Sequence, residues 1–129
     1  MNVVDSSGWL EYLGQGHNAS VFEAPLRQTR ELIVPSIVVA EVRRRLLQQA
    51  GDRHLIDQAI SGMRQARVVP FDFDLAVYAA TLGTTLKLPL ADSIILATAR
   101  SLGALLWTQD ADFEGLDGVK YYAAKAKKK

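Results

Sequence analysis

The sequence predicts an α/β domain with a mainly parallel sheet that helices cover on both faces. Short apolar stretches rich in Val, Ile and Leu alternate with longer stretches, roughly 10 to 15 residues each, in which apolar residues have helical spacing. The chain has 129 residues, about half of them apolar, which is enough for one ordinary core. We therefore expect a single domain over residues 1–122 and a basic, disordered tail at 123–129.

Local signals define the individual elements. In the first half, Ser6 opens a helical pattern that stops at Gly14, and Pro35 separates an apolar strand from the next helix. In the second half, Pro89 opens a helix that Gly103 ends. The predicted strands are 3–4, 31–34, 67–70, 104–107 and 119–122. The predicted helices are 6–13, 36–50, 52–65, 73–87 and 89–102.

Composition excludes several classes of protein and site. No apolar run approaches the roughly 20 residues of a membrane-spanning helix, and the N-terminus does not resemble a secretory signal, so we expect a cytoplasmic protein. Because cysteine is absent, a metal ion would have to be held by oxygen atoms or histidine. No glycine-rich phosphate loop is present, so no nucleotide cofactor is expected.

Basic and acidic residues nearly balance, which disfavours a protein that coats nucleic acid by bulk charge. The basic residues are clustered at 43–45 and in the tail, and each cluster is either a solvated surface or a contact for a phosphate backbone. His17 and His54 have no ligand-type spacing and are expected at the surface. Neither Ser6 nor Ser7 lies in a nucleophile-elbow motif, so a serine hydrolase is not expected.

Several acidic residues lie where an α/β sheet builds its sites, and each also has an ordinary local interpretation. Asp5 follows a predicted strand and could simply cap the next helix. Glu41 interrupts an apolar helix face and could pair with an arginine three or four residues later. Asp92 lies near the positive end of a helix dipole. Asp110 and Asp112 follow a strand and could serve a turn.

Four of these acids together predict a metal centre, namely Asp5, Glu41, Asp92 and Asp110. All four can face one end of the sheet, and converging carboxylates repel each other unless a cation neutralises them. An all-oxygen set of ligands suits Mg²⁺ or Mn²⁺ rather than zinc. Such ions bind phosphate and activate water, so the predicted chemistry is hydrolysis of a phosphodiester bond.

Four segments of the chain also carry a familiar pattern. They are VVDSSGWLEYL, IVPSIVVAEVRRRLL, LPLADSIILATARSLGALLWTQDADF and VKYY. In the third and most specific one, an acid opens an alanine-rich helix, a short strand follows, and then come Thr, any residue, Asp, two further residues and Phe. Together these segments resemble the PIN-domain family, specifically the VapC-type toxins of toxin–antitoxin pairs, over nearly the whole chain up to Tyr122.

The resemblance implies a three-layer α/β/α sandwich and an endoribonuclease that depends on Mg²⁺ or Mn²⁺. It also implies two protein partners, a cognate antitoxin that blocks the site and a second copy of the toxin in a homodimer. On the first predicted helix, Trp9, Tyr12 and Leu13 are expected to belong in part to the core, and whichever part of that helix stays exposed is expected to contact the antitoxin.

The resemblance further implies roles for individual residues. Metal binding would fall to Asp5, Glu41, Asp92 and Asp110. Thr108 would hold the acidic cluster by hydrogen bonding, and Asp112 would be a helper. The chain departs from the family pattern at Gln109, where a basic residue is common, and at Trp107, where an aliphatic residue is usual. The first departure would alter how substrate phosphate is gripped.

Three other functions compete with the toxin. An RNA-binding or RNA-processing PIN protein without an antitoxin is the main alternative, although a mere RNA binder gains nothing from acids opposite phosphates. A phospho-accepting receiver domain would need an acidic pair after the first strand, but here two serines follow Asp5. A flap-cutting DNA nuclease would need more chain than is present.

Overall fold

The computed structural model describes residues 1–125, which form a five-stranded parallel sheet flanked by six helices. The strands are β1 (Asn2–Val4), β2 (Leu32–Pro35), β3 (Arg67–Val69), β4 (Leu105–Thr108) and β5 (Val119–Tyr121). The helices are α1 (Ser6–Leu13), α2 (Ala19–Arg27), α3 (Ser36–Gln48), α4 (Arg53–Met63), α5 (Phe73–Leu86) and α6 (Leu90–Ser101). The predicted α/β/α sandwich is confirmed, and every ladder within these residues is parallel.

Helix α2 is the one helix of the described residues that the sequence pattern did not predict. It is short, begins without a side-chain cap at Asn18 and contains Pro25, so its local signals are weak. Burial explains why it forms, because Phe22 is completely buried and Leu26 nearly so. Tertiary packing of one apolar face therefore overrides weak local propensity.

The sheet forms the centre of the core. Val3 and Val4 of β1 and Ile33 and Val34 of β2 have no exposed surface, as expected for strands covered on both faces. Helices α1 and α2 pack on β1, while α6 packs against β2 and β4. Leu96 in the middle of α6 is likewise completely buried. The strand that presents Asp5, β1, is thus covered by the core on both faces.

The strand order β3-β2-β1-β4-β5 positions the site. The chain moves outward from β1 to β3 and then crosses back to β4 on the other side of β1. Ligands of such sheets bind beyond the carboxyl ends of the strands, where the direction of winding reverses. Here that point lies between β1 and β4. The Asp5 N–H donates to the Trp107 carbonyl at 3.1 Å. The hydrogen bonds between β1 and β4 therefore extend as far as the candidate acid Asp5.

Three smaller predictions concern the surface and the tail. His17 and His54 are exposed, as predicted. Residues 123–125 lie outside helices and strands, whereas the rest of the predicted disordered tail, 126–129, lies outside the described residues. Across residues 1–125, no helix has the length and apolar character needed to cross a membrane.

Candidate metal centre

Asp5 lies at the end of β1 and begins α1. Only 2% of its surface is exposed, and its carboxylate accepts hydrogen bonds on both oxygens. Its Oδ1 accepts from the Ser7 hydroxyl at 2.7 Å and from the Gly8 N–H at 2.9 Å, and Oδ2 accepts from the Thr108 hydroxyl at 2.6 Å. Asp5 is therefore both the cap of α1 and an acid joined to β4.

The loop after β4 is fixed by the same hydroxyl groups. Thr108 Oγ1 accepts from the Asp110 N–H at 2.9 Å, and Ser7 Oγ accepts from the Gln109 N–H at 3.2 Å. The Asp110 carboxylate then caps a short 3₁₀ turn by accepting from the Asp112 N–H at 2.9 Å. These bonds hold the start of α1 and the end of β4 in one hydrogen-bonded unit.

Asp92, Asp110 and Asp112 form the tightest group of acids. One carboxylate oxygen of each lies within 4.8 Å of the other two. Asp92 and Asp110 are half-buried, while Asp112 is exposed. Asp112, expected from the sequence to be a helper, thus belongs to the closest group. Asp5 and Glu41 lie outside this group but interact electrostatically with Asp110.

Glu41 lies in α3 and is half-buried. Its Oε1 atom is shielded from solvent and has no hydrogen-bond partner within residues 1–125. The alternative in which an arginine satisfies Glu41 is wrong, because neither Arg44 nor Arg45 forms an ion pair with it among the described residues. A buried carboxylate oxygen without a donor is costly, and it is the kind of atom that a cation would satisfy.

Burial and mutual repulsion raise the pKa values of these acids. Desolvation raises the pKa of Asp5 to about 6, although its hydrogen bonds from Thr108, Ser7 and Gly8 oppose the rise. The pKa of Asp92 is raised to about 7, first by desolvation and then by Asp110 and Asp112. Without a cation, the centre therefore holds protons at pH values where an exposed aspartate is ionised.

Burial also raises the pKa of Glu41, while the nearby Ser6 hydroxyl opposes the rise and the charge of Asp110 adds to it. The three acids with raised pKa values, Asp5, Glu41 and Asp92, come from three different elements. The negative charge of Asp110 contributes to the raised pKa of each of them. The four acids that the sequence singled out are thus brought to one end of the sheet.

These residues fit a divalent cation that prefers oxygen ligands. Every candidate ligand is a carboxylate, the Glu41 Oε1 atom has no donor within residues 1–125, and repulsion from Asp110 and Asp112 adds to the effect of burial on the pKa of Asp92. A bound cation would provide a partner for the Glu41 oxygen and would reduce the repulsion between the carboxylates. The donor set matches Mg²⁺ or Mn²⁺ better than zinc, which favours nitrogen and sulfur.

Sequence reasoning missed the roles of two residues that shape this centre, Ser7 and Asn18. Ser7 lies two residues after Asp5, a spacing at which short polar side chains often bond locally, so a signal existed. Asn18 donates from Nδ2 to Gln109 Oε1 at 3.1 Å across 91 positions of sequence. No local pattern could have indicated the pairing of Asn18 with Gln109.

A model of the PIN domain family matches residues 3–119, a range that contains every acid of the centre. The chain belongs to the PIN domain family. No curated protein sequence matches this PIN domain.

Solved structures of toxin–antitoxin proteins share the fold of this PIN domain. A toxin–antitoxin complex from Klebsiella pneumoniae has 23% identity and a TM-score of 0.78, with 95% of this chain and 99% of that chain covered. VapC20 of Mycobacterium tuberculosis, a sarcin–ricin loop cleaving toxin, has 19% identity and a TM-score of 0.71, with coverage of 93% and 99%. FitAcB of Neisseria gonorrhoeae has 22% identity and a TM-score of 0.68, with coverage of 87% and 89%.

Proposed function

We propose that this PIN domain is a Mg²⁺- or Mn²⁺-dependent endoribonuclease and the toxin of a toxin–antitoxin pair. The observation that carries the proposal is the half-buried acidic centre at the switch point of the sheet, beside a Glu41 oxygen that has no partner among residues 1–125. The similarity in fold to a sarcin–ricin loop cleaving toxin supports RNA as the substrate. We propose that the enzyme acts in the cytoplasm, where RNA is available.

The acids would bind the metal ion, and neighbouring hydroxyl groups would hold one of the acids in position. Asp5, Glu41, Asp92 and Asp110 would hold the ion, with Asp112 completing the group. A bound divalent ion would supply a Lewis acid for the phosphate and lower the pKa of an attacking water. Thr108 and Ser7 fix the Asp5 carboxylate by donating to both of its oxygens, so it needs no reorientation when substrate arrives.

Metal-dependent cleavage tests this function. Purified protein should cleave single-stranded or structured RNA with Mg²⁺ or Mn²⁺, and a chelator should stop cleavage reversibly. The products should carry 5′-phosphate and 3′-hydroxyl ends, because water and not the ribose 2′-hydroxyl is the nucleophile. Cleavage that survives thorough chelation, or cyclic 2′,3′-phosphate ends, would contradict the mechanism. RNA binding without cleavage would favour the alternative, an RNA-binding PIN protein.

We also propose a cognate antitoxin that covers the acidic centre across α1. Of the residues considered for this contact, Trp9 is only 7% exposed and belongs to the core. Leu10, Tyr12 and Leu13 are partly exposed and remain available to a partner. An antitoxin Arg or Lys could then enter the centre in place of metal.

A second copy of the chain is the other proposed partner. Phe73 and Val77 on α5 are 81% and 55% exposed, and Leu90 at the start of α6 is 68% exposed. We propose that these exposed apolar side chains contribute to the homodimer surface. Light scattering should give a dimer for the toxin alone and a larger complex with the product of a co-transcribed small reading frame. A monomer at high concentration would exclude the homodimer, and an unchanged mass would exclude that antitoxin.

A further inference from the structure

A groove between α1 and α3 opens beside the acidic centre. It consists of two cavities of about 520 and 350 Å³ that share Leu10 and Arg45 in their walls. Ser6 and Glu41 line the smaller cavity, and Ser7 and Gln109 line the larger one. We call this space the α1–α3 groove and define it by Ser6, Ser7, Leu10, Glu41, Arg45 and Gln109. Both cavities border residues of the acidic centre, so a molecule in the groove would reach that centre.

Arg45 supplies positive charge to this groove. Of the three consecutive arginines of α3, Arg43 pairs with Asp57 at 2.9 Å, whereas Arg45 forms no ion pair within residues 1–125. Arg45 is exposed and lines both cavities. An unpaired guanidinium is well suited to a phosphate, because it donates several hydrogen bonds in a fixed planar arrangement. Within the arginine cluster, Arg43 therefore forms a surface ion pair, whereas Arg45 lines the groove.

Gln109 supplies a hydrogen-bond donor whose orientation is fixed by its neighbours. Asn18 Nδ2 lies 3.0 Å from the Ala123 carbonyl oxygen, which can only accept, so this Asn18 atom must be the amide nitrogen. The second hydrogen of Nδ2 is donated to Gln109 Oε1 at 3.1 Å. The Gln109 oxygen is thereby occupied, and its Nε2 has no acceptor among the residues that the structure describes.

The same contacts make this wall of the groove rigid. The Asn18 N–H donates to Glu11 Oε2 at 2.9 Å, and the Gln109 N–H donates to Ser7 Oγ at 3.2 Å. The backbone and the side-chain oxygen of Gln109 are both held. A donor held in this way loses little conformational entropy when it binds an acceptor.

We propose that the α1–α3 groove binds the RNA strand beside the scissile phosphodiester, with Arg45 contacting a phosphate and Gln109 Nε2 contacting an acceptor of a neighbouring nucleotide. This inference rests on the proposed ribonuclease function. Charge complementarity favours RNA as the occupant, because the acids of the centre repel phosphates and a neighbouring cation offsets that repulsion. A fixed amide donor recognises base acceptors such as a ring nitrogen or a carbonyl oxygen.

Equilibrium binding tests the groove independently of cleavage. Fluorescently labelled single-stranded RNA is titrated in Ca²⁺ buffer with wild type, Arg45→Gln, Gln109→Leu and the matched control Arg43→Gln. Arg45→Gln should weaken binding about tenfold, because it removes a charged hydrogen bond. It should also reduce the slope of log affinity against log salt by about 0.7, the value for one phosphate contact on a single strand. Arg43→Gln should bind within about twofold of wild type, since an exposed ion pair contributes little.

Gln109→Leu tests nucleotide recognition. It should weaken binding by about three- to tenfold, the effect of one neutral hydrogen bond, and leave the salt slope unchanged. It should also change the relative affinities of RNAs that differ at one nucleotide, which a merely structural role would not do. Melting curves should show that all variants remain folded at the assay temperature, although Gln109→Leu loses the hydrogen bond from Asn18 and should melt slightly earlier.

Two results would overturn the groove proposal. In the first, Arg45→Gln and Gln109→Leu bind RNA with wild-type affinity and salt slope. In the second, these variants lose affinity for the antitoxin alone, which would make the groove a protein-binding site. The proposed function fails separately, when wild-type protein does not cleave RNA with Mg²⁺ or Mn²⁺, because binding in Ca²⁺ buffer does not depend on turnover.

Discussion

Single residues of the centre combine structural and chemical roles to different degrees. Asp5 caps α1 and accepts from donors on both oxygens, so its carboxylate is built into the fold. Asp92 lies in the first turn of α6 but caps nothing, and no side-chain cap is present at that helix start. Its raised pKa shows that the folded protein disfavours its charge when metal is absent. Substitutions at these two sites should therefore differ in their effect on stability.

Asparagine substitutions distinguish the two acids. Asp92→Asn should abolish nearly all cleavage, while the metal-free melting temperature stays level or rises because repulsion with Asp110 and Asp112 is removed. Asp5→Asn should also abolish cleavage, but without the gain in melting temperature. Asparagine offers one acceptor oxygen where Asp5 offers two, so a donor loses its partner.

Melting in EDTA and a cleavage assay with Mn²⁺ measure these effects. The control is Asp74→Asn, an exposed acid in the first turn of α5, which should cleave RNA like wild type. Near-normal activity of Asp5→Asn or Asp92→Asn would remove that residue from the metal centre.

At the scale of elements, the close packing of α1 sets the position of Asp5. A Cβ atom at Gly8 would lie 2.6 Å from Val4 Cγ1 and 2.8 Å from Phe22 Cδ1, so only glycine allows α1 to approach β1 and α2 this closely. Gly8 also donates its N–H to Asp5. The packing of one helix and the orientation of one carboxylate are therefore coupled.

Gly8→Ala tests this coupling. The added methyl group should push α1 outward, lower the free energy of unfolding by about 1–3 kcal/mol and reduce cleavage as well. Gly62→Ala in α4 is the matched control, because no atom lies within 4 Å of its Cβ position. That change should raise stability by about 0.4–1 kcal/mol and leave cleavage unchanged. Chemical denaturation and the RNA assay provide the measurements, and equal behaviour of the two variants would show that α1 tolerates displacement.

At the scale of the whole molecule, the acidic centre makes stability depend on pH and metal. Asp5 and Asp92 have folded-state pKa values of about 6 and about 7, compared with 3.8 for an unperturbed aspartate. Between about pH 4 and pH 7 the folded protein therefore binds more protons than the unfolded chain. The contribution of these groups to stability is present at low pH and is lost as the pH rises through that window.

Thermal denaturation of wild type and Asp92→Asn in EDTA at about pH 5 and pH 7.5 tests this dependence. The melting temperature of wild type should fall more than that of the variant as the pH rises, because the variant lacks one of the two titrating groups. Mn²⁺ at about 100 times its dissociation constant should stabilise wild type at the higher pH by about 2.7 kcal/mol, and should stabilise the variant much less. An equal pH dependence of the two proteins would refute the contribution of Asp92.

The sequence determined the alternation of strands and helices, the parallel sheet and the acids at the strand ends. These features are local, because hydrophobic periodicity, capping residues and turn residues act over a few positions. The resemblance to the PIN domain family rested on four short segments, so the family could also be expected before any contact was known. Helix α2 was the exception, since its formation depends on burying Phe22.

Tertiary structure alone decided which distant residues meet. Asp5 and Thr108 are 103 positions apart, and Asn18 and Gln109 are 91 positions apart, yet each pair is hydrogen-bonded. They meet because β4 is inserted beside β1, and the strand order is set by how the crossing helices pack. The same packing buried Trp9 in the core and left Glu41 Oε1 without a partner in the part of the chain that the structure describes. These contacts cannot be predicted from local sequence patterns, because they depend on where separate elements lie in the folded chain.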